Sequence, residues 1–333
     1  MTTFPEEGRT AVTAVRTPDI ANPAAPPASR RLLLPRLGSR RSPNARKRQG
    51  PLALLLIAPA GIGFVIFAAY PALRGVYLAF TSFYILSPAQ WTGLANWHQL
   101  ASDSIFWHSL ITTVYFVTLS VVIGIAVSLL TGAILHRLTK SVVIRALMIL
   151  PFLVSGVIAG LVWDWMLDPA LGIINIALAK LTGHTFLFFG TGNLAIPSLA
   201  MISVWKSMGY NAILILAGLQ TIPTTFYEAA RIDGASEIQM FRRITVPLLR
   251  PILAMVVILT VISSFQVFDI IDVTTQGGPA NASLVLPMYI YDKAFSQFDF
   301  GYASTMSLVL FVMLIIVTFL QMRLARANQS DLS

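Results

Sequence analysis

Six stretches of this chain are each long and apolar enough to cross a lipid bilayer, which leaves few folds open. They cover residues 52–80, 108–135, 143–167, 195–220, 248–271 and 301–324. A span needs about 20 predominantly apolar residues. Inside hydrocarbon every backbone N–H and C=O must be paired, and for runs of this length an α-helix does that within the segment itself. The expected fold is therefore an all-α membrane protein with six transmembrane helices. Pro71 and Arg74 interrupt the first run. Only 11% of the 333 residues are charged, against roughly 25% in soluble domains.

The net charge of +9 could suggest a nucleic-acid partner, but the basic residues form no single stripe and none is expected. They flank the apolar runs instead. Ten Lys/Arg lie in residues 1–50, followed by Arg137, Lys140, Arg145, then Arg231, Arg242, Arg243, Arg250, then Arg323 and Arg326. The alternate segments hold only Arg74, Lys180 and Lys293. By the positive-inside rule, both termini and the segment 224–247 face the cytoplasm. Residues 1–50, rich in Pro, Ala, Ser and Arg, read as a disordered cytoplasmic tail. Its cluster Arg40 to Arg48 could meet anionic membrane lipid, and the apolar run after it reads as a retained signal-anchor. Residues 51–327 form the membrane domain. Cysteine is absent, which excludes disulfides and thiolate chemistry.

The polar segment 224–247 lies between two apolar runs and has the grammar of two short capped helices. Thr225 with Glu228, and Ser236 with Gln239, have capping-box spacing. Gly234 suits the left-handed position after a helix. Pro247 is expected to stop the second helix, with Val246 biased away from helical angles. Helical spacing places Ile238, Phe241 and Ile244 near one face, away from Glu237, Arg242 and Arg243.

Glu228-Ala229-Ala230, then three residues, Gly234, nine residues, Ile244, one residue, and Val246-Pro247 resemble the EAA loop of binding-protein-dependent ABC importer permeases. Val246 stands where that family usually has Leu. Gly93-Leu94 with Asn96-Trp97, Leu150-Pro151 through Trp163 to Gly172 and Asn175, and Phe268-Asp269 followed by Thr275-Gln276-Gly277-Gly278-Pro279 resemble sugar permeases of the MalF/UgpA type, over about residues 52–325. The resemblance implies a type I ABC importer permease fold in a bacterial inner membrane, with the EAA loop as a cytoplasmic coupling helix. It implies coupling through Glu228, Ala229, Ala230, Asp233, Gly234, Ile244 and Pro247. It also implies three partners: a second homologous permease, an ATP-binding cassette ATPase dimer and an extracytoplasmic sugar-binding protein. ATP and Mg would sit on the ATPase. The chain has no Gly-Lys pair and hence no phosphate loop of the Walker type.

Charges within the spans mark candidate pathway residues, because each costs about 2.5–3.5 kcal/mol at a helix centre. Asp164 lies between Trp163 and Trp165, Lys206 follows Trp205 with Tyr210 and Asn211 a turn on, and Asp269 follows Phe265 and Gln266. Trp rings stack on the apolar faces of pyranoses while carboxylates and amides take hydroxyls, so these residues suit a sugar site. A structural pair, Asp164 with Lys206, is the other reading. Gly156 and Gly160 suit close helix packing. The four histidines lie too far apart for a metal pair on one helix. No catalytic residues and no metal site are expected. Two rivals remain open on the residues alone: a membrane-embedded transferase built on Asp164 and Asp269, and a secondary transporter working alone.

Overall fold

The structure, a computed structural model, describes residues 55–138 and 141–327. The expected tail, residues 1–50, lies outside them. Of the first of the chain's two units, residues 1–60, only the start of an apolar helix is described; the packing below belongs to the second, residues 61–333.

Among the described residues, four helices are long and apolar enough to cross a membrane: α1 (Leu55–Leu78), α3 (Ser104–Leu138), α7 (Gly192–Leu219) and α13 (Phe300–Ala327). A short hairpin, β1 (Thr81–Ser82) with β2 (Gln90–Trp91), and α2 (Ala95–Ser102) follow α1. Two bent pairs bring the possible spans to six. They are α4 (Val142–Leu153) with α5 (Gly156–Leu167), bent by 94°, and α9 (Glu237–Leu248) with α10 (Arg250–Phe265), bent by 70°. Short helices α6 (Ile173–Thr182), α8 (Thr224–Ile232), α11 (Asp269–Thr274) and α12 (Leu286–Tyr291) complete the described chain.

Two of the six runs are therefore not straight, contrary to the sequence expectation. The run 143–167 breaks after Pro151: Val154 and Ser155 take extended angles and Gly156 starts a new helix. Proline's missing N–H and its ring act on the carbonyl four residues back, so Pro151 weakens the turn before it, while the break itself falls at Val154 and Ser155. The run 248–271 breaks at Gln266–Phe268, after which Asp269 opens α11.

The core forms where α3 lies along α7, the most extensive helix pair, with α4 and α10 against them. Ser109, Thr113, Ser120, Gly124, Ser128 and Gly132 are buried along α3, a stripe of small residues that lets backbones approach. Phe116, Ile196, Leu199, Ile202, Phe265 and Ile271 fill the main cluster. The Gly156–Gly160 pair packs α5 on α11: a Cβ at Gly160 would sit 2.5 Å from a Val273 methyl.

At about 1.5 Å per residue, the 35 residues of α3 span roughly 50 Å, against a hydrocarbon core of about 30 Å. The helix is thus longer than a straight crossing requires. At one end Asp103 accepts hydrogen bonds from Tyr289 (2.7 Å) and Tyr302 (2.6 Å) and from the N–H groups of Ile105 and Phe106. This gathers the segments before α3, α12 and α13 at one end of the bundle. At the other end Arg137 pairs with Glu237, joining α3 to the segment 224–247.

Candidate functional site

The candidate residues gather at two places: the knuckle formed by α8 and α9, and a cavity where the two broken runs meet.

The knuckle is built largely from local rules. α8 closes in a Schellman motif: the Gly234 N–H donates to Arg231 O at 3.1 Å and the Ala235 N–H to Ala230 O at 2.9 Å. Gly234 has φ +76°, as that geometry requires. The capping box at the start of α9 forms as expected, with Gln239 N–H to Ser236 Oγ at 3.3 Å and Ser236 N–H to Gln239 Oε1 at 2.8 Å. The box at Thr225 does not form. Pro223 holds the N-cap position with extended angles, so the helix starts at Thr224 and Thr225 lies inside it. Pro247 does not stop α9 either. A π-turn over Phe241–Thr245 precedes it, Val246 is helical, and the chain turns at Leu249. Met240 and Thr245 are buried, while Ile238 is 71% exposed.

Tyr227 and Thr245 share a 2.9 Å hydrogen bond that clasps α8 to α9. Glu237 pairs with Arg137 of α3 and lies 3.6 Å from Arg231. Beneath lies a cavity of about 370 Å³ lined by His136, Arg137, Tyr227, Glu228 and Arg231 among others. Glu228, Ala229, Asp233 and Gly234 are exposed, Ala230, Ile244 and Pro247 half-buried. Ile232 is 87% exposed. The exposed surface of the knuckle is thus largely polar, with Phe226, Ile232 and Ile238 bare upon it.

The second cavity, about 290 Å³, is lined by Phe152, Ser203, Lys206, Gln266 and Asp269 together with Gly156, Ser207 and Ser263. Of the pathway candidates it brings together Lys206, Gln266 and Asp269. Trp163 and Trp205 instead pack edge to face, 5.5 Å between centroids. Tyr210 stacks on Phe152 at 4.4 Å, one layer behind the wall. Asn211 is buried and donates to Thr260 on α10. Phe265 is buried in the core, and Asp164 does not line the cavity. Asp164 and Lys206 form no ion pair, so the structural pair considered for them is absent. Sequence reasoning did not single out Ser203, Ser207 and Ser263, or the link from Arg137 to Glu237. Among the described residues no group of three His, Asp or Glu could hold a metal ion.

At the opposite end, Asn96 donates to Ala79 O and Thr81 O and holds the hairpin. Asn175 bonds Leu167 O and the Phe186 backbone and fixes the turn around α6. Burial works to raise the Asp103 carboxyl, but the Tyr302 and Tyr289 hydroxyls and two backbone N–H groups outweigh it and hold it below the usual carboxylate range. Burial, then the Asp103 hydrogen bond and charge, push the Tyr289 hydroxyl well up.

Residues 120–329 match the binding-protein-dependent transport system inner membrane components. The chain belongs to this family. The permease SmoG of a sulfoquinovosyl glycerol transport system from Agrobacterium fabrum is 36% identical, covering 83% of this chain and 91% of that protein. The permease UgpA of an sn-glycerol-3-phosphate transport system from Yersinia pestis is 34% identical over 82% of this chain and 93% of its own. The permease MalF of a trehalose/maltose transport system from Thermococcus litoralis is 31% identical over 84% and 95%. The crystal structure of a bacterial alginate ABC transporter shares the fold, with TM-score 0.74 at 23% identity, covering 85% of this chain and 98% of that one. The permease is thus an inner-membrane ABC transporter component with the all-α fold expected of it. Its relatives are permeases and not enzymes, which removes the transferase reading.

Proposed function

We propose that this permease forms half of the translocation path of an ATP-driven importer of carbohydrates or sugar derivatives. The named cargoes of its relatives, sugars and glycerol derivatives, support that substrate class. The other half would come from a second permease of the same family. A cytoplasmic ATPase pair would hold ATP and Mg and dock on the knuckle 224–247. An extracytoplasmic sugar-binding protein would deliver cargo, as the family's binding-protein dependence leads one to expect. Both termini and the knuckle face the cytoplasm in this reading, supported by the basic residues on those segments.

The observation that carries the coupling role is the knuckle itself. It is rigidly clasped, yet it leaves Ile232 and Ile238 bare on a polar surface at 87% and 71% exposure. Exposed apolar side chains rimmed by polar ones suit a protein interface. Closure of the ATPase dimer on ATP would pull the knuckle, and α9 and α3 would carry the motion into the bundle. The path then turns outward to receive cargo, and hydrolysis resets it: alternating access by rigid-body rocking between two states. Glu228, Ala229, Ala230, Asp233 and Gly234 would lie at the docking face, with Ile244 and Pro247 setting the angle of α9. The test is site-specific cross-linking from Ile232→Cys and Ile238→Cys to the ATPase in assembled importer, with the yield changing on ATP addition. Cross-links only to segments on the opposite side of the membrane would sink the reading.

A further inference from the structure

We propose that the cavity between the two broken runs selects an anionic carbohydrate derivative, whose carboxylate, sulfonate or phosphate is bound by Lys206. The inference rests on the importer reading above and names the substrate class for that path.

The wall is unevenly furnished with donors and acceptors. Ser203, Lys206 and Ser207 share one face of α7, at i, i+3 and i+4, and Gln266 comes from the break after α10. Ser207 already donates to the Ser203 and Val204 carbonyls, and Ser263 to Thr260 O. The Lys206 ammonium, the Gln266 amide and the Ser203 hydroxyl make no hydrogen bond or ion pair with any described residue. They are donors without acceptors, and one of them carries a full charge at membrane depth.

The wall has one carboxylate that could neutralise Lys206, that of Asp269. Its position argues against that role. A Cβ built on Gly156 would fall 2.5 Å from Asp269 Oδ2, so the carboxylate lies against the first residue of α5. The unbonded N–H groups of a helix start concentrate positive partial charge there. Asp269 thus faces the positive ends of α5 and of its own helix α11, although no N–H donates to it, and it forms no ion pair with Lys206, which is left for the cargo. Charge-assisted bonds to an ammonium are among the stronger polar contacts. A group that accepts at once from Lys206, Gln266 and Ser203 needs several acceptor oxygens, which carboxylate, sulfonate and phosphate have and a lone sugar hydroxyl does not. At about 290 Å³ the cavity lies near the lower end of ligand pockets, roughly 300–1,000 Å³, a size for one or two sugar units.

The test uses the assembled permease–ATPase complex in nanodiscs, without binding protein, so that the delivery protein's own selectivity does not enter. Calorimetric titrations compare glucuronate, 6-deoxy-6-sulfoglucose and glycerol 3-phosphate with glucose and glycerol. At least one acidic probe should bind with neutral analogues about 10- to 100-fold weaker, the scale of one charge-assisted bond. Lys206→Gln should abolish that preference and Lys206→Arg keep it. Asp269→Asn should leave acidic binding equal or tighter. Neutral probes binding as tightly as acidic ones, or acidic affinity unchanged in Lys206→Gln, would overturn the proposal. So would loss of acidic binding in Asp269→Asn alone, which needs no folded Lys206→Gln protein. ATP-driven uptake by the wild-type importer with its binding protein is measured alongside. If uptake of a neutral sugar proceeds while the anion preference is absent, the importer reading stands and only the anion assignment falls. If no carbohydrate of either class is taken up, the importer reading falls as well.

Discussion

Asp103 offers the sharpest test of how one end of the bundle is held. Its carboxylate accepts from the hydroxyls of Tyr289 and Tyr302 at 2.7 and 2.6 Å, and from two N–H groups at the start of α3. Both tyrosines are buried, at 4% and 0% exposure, so their hydroxyls have no ready water to fall back on. Asp103→Asn keeps an acceptor for the N–H groups but presents an NH₂ to two O–H donors. Hydrogen bonds to charged groups contribute about 1.5–3 kcal/mol each. With Asp103 itself only half-buried, we expect a combined loss of about 2–4 kcal/mol from the two phenol bonds. At about 2–4 °C per kcal/mol for a chain of this size, the unfolding midpoint in detergent should drop by roughly 4–16 °C. Tryptophan fluorescence can follow it. Tyr289→Phe and Tyr302→Phe should each cost less than Asp103→Asn, and Tyr289→Phe should cost little more once Asp103 is Asn, since the shared bond is already gone. A midpoint for Asp103→Asn within about 1 °C of wild type, or additive losses in the double variant, would refute the hub.

The same cluster sets a pH window. Asp103 is held below its ordinary value, so its stabilisation is complete above the unfolded value of about 4 and is lost as pH falls through the folded one. Tyr289 is pushed up, so its share is complete below about pH 10 and is lost as pH rises towards its folded value. Asp103→Asn should flatten the acid limb of a stability profile. Gly234→Asp should fold, because nothing lies within 4 Å of an added Cβ and the left-handed backbone costs about 1–2 kcal/mol. It should nevertheless uncouple uptake from ATP hydrolysis, measured in proteoliposomes by transport per ATP. Exchanging the pair as Arg137→Glu with Glu237→Arg should restore coupling that either single change weakens. Gly160→Leu should force α5 off α11, where an added Cβ already meets Val273 at 2.5 Å, and lower the unfolding midpoint by the equivalent of about 1–3 kcal/mol.

What could be read from the chain followed from how local each cause is. The knuckle was legible because its determinants lie within a turn of one another: Ser236 with Gln239, and Gly234 after α8. Lys206 and Asp269 were legible because a charge stands out in an apolar run. The serines of the same cavity were not, since a hydroxyl that bonds its own helix, as Ser207 does, reads identically on any face. Trp163 and Trp205 were expected to face a cargo. α5 is almost wholly apolar around its circumference, so no periodicity told which way Trp163 pointed, and packing turned it edge-on to Trp205. The Asp103 hub joins residues 186 and 199 positions apart, which no window along the chain could pair.

The prolines teach the finer lesson, because the same residue had two outcomes. α4 ends two residues after Pro151, whereas Pro71 and Pro247 are carried inside continuing helices. In both of the latter a π-turn closes two residues earlier, at Val65–Ala69 and Phe241–Thr245, and the next N–H bonds five residues back, Tyr70 to Val65 and Val246 to Phe241. A turn widened by one residue draws the preceding carbonyls away from where the ring would strike them. A proline in an apolar run therefore does not by itself mark a span's end; Pro197 is carried inside α7 with no widened turn before it, so a π-turn is one way to accommodate the ring and not the only one. At Pro247 that widening sets the angle at which α9 leaves the knuckle, and so the direction in which a pull on Gly234 would reach the bundle.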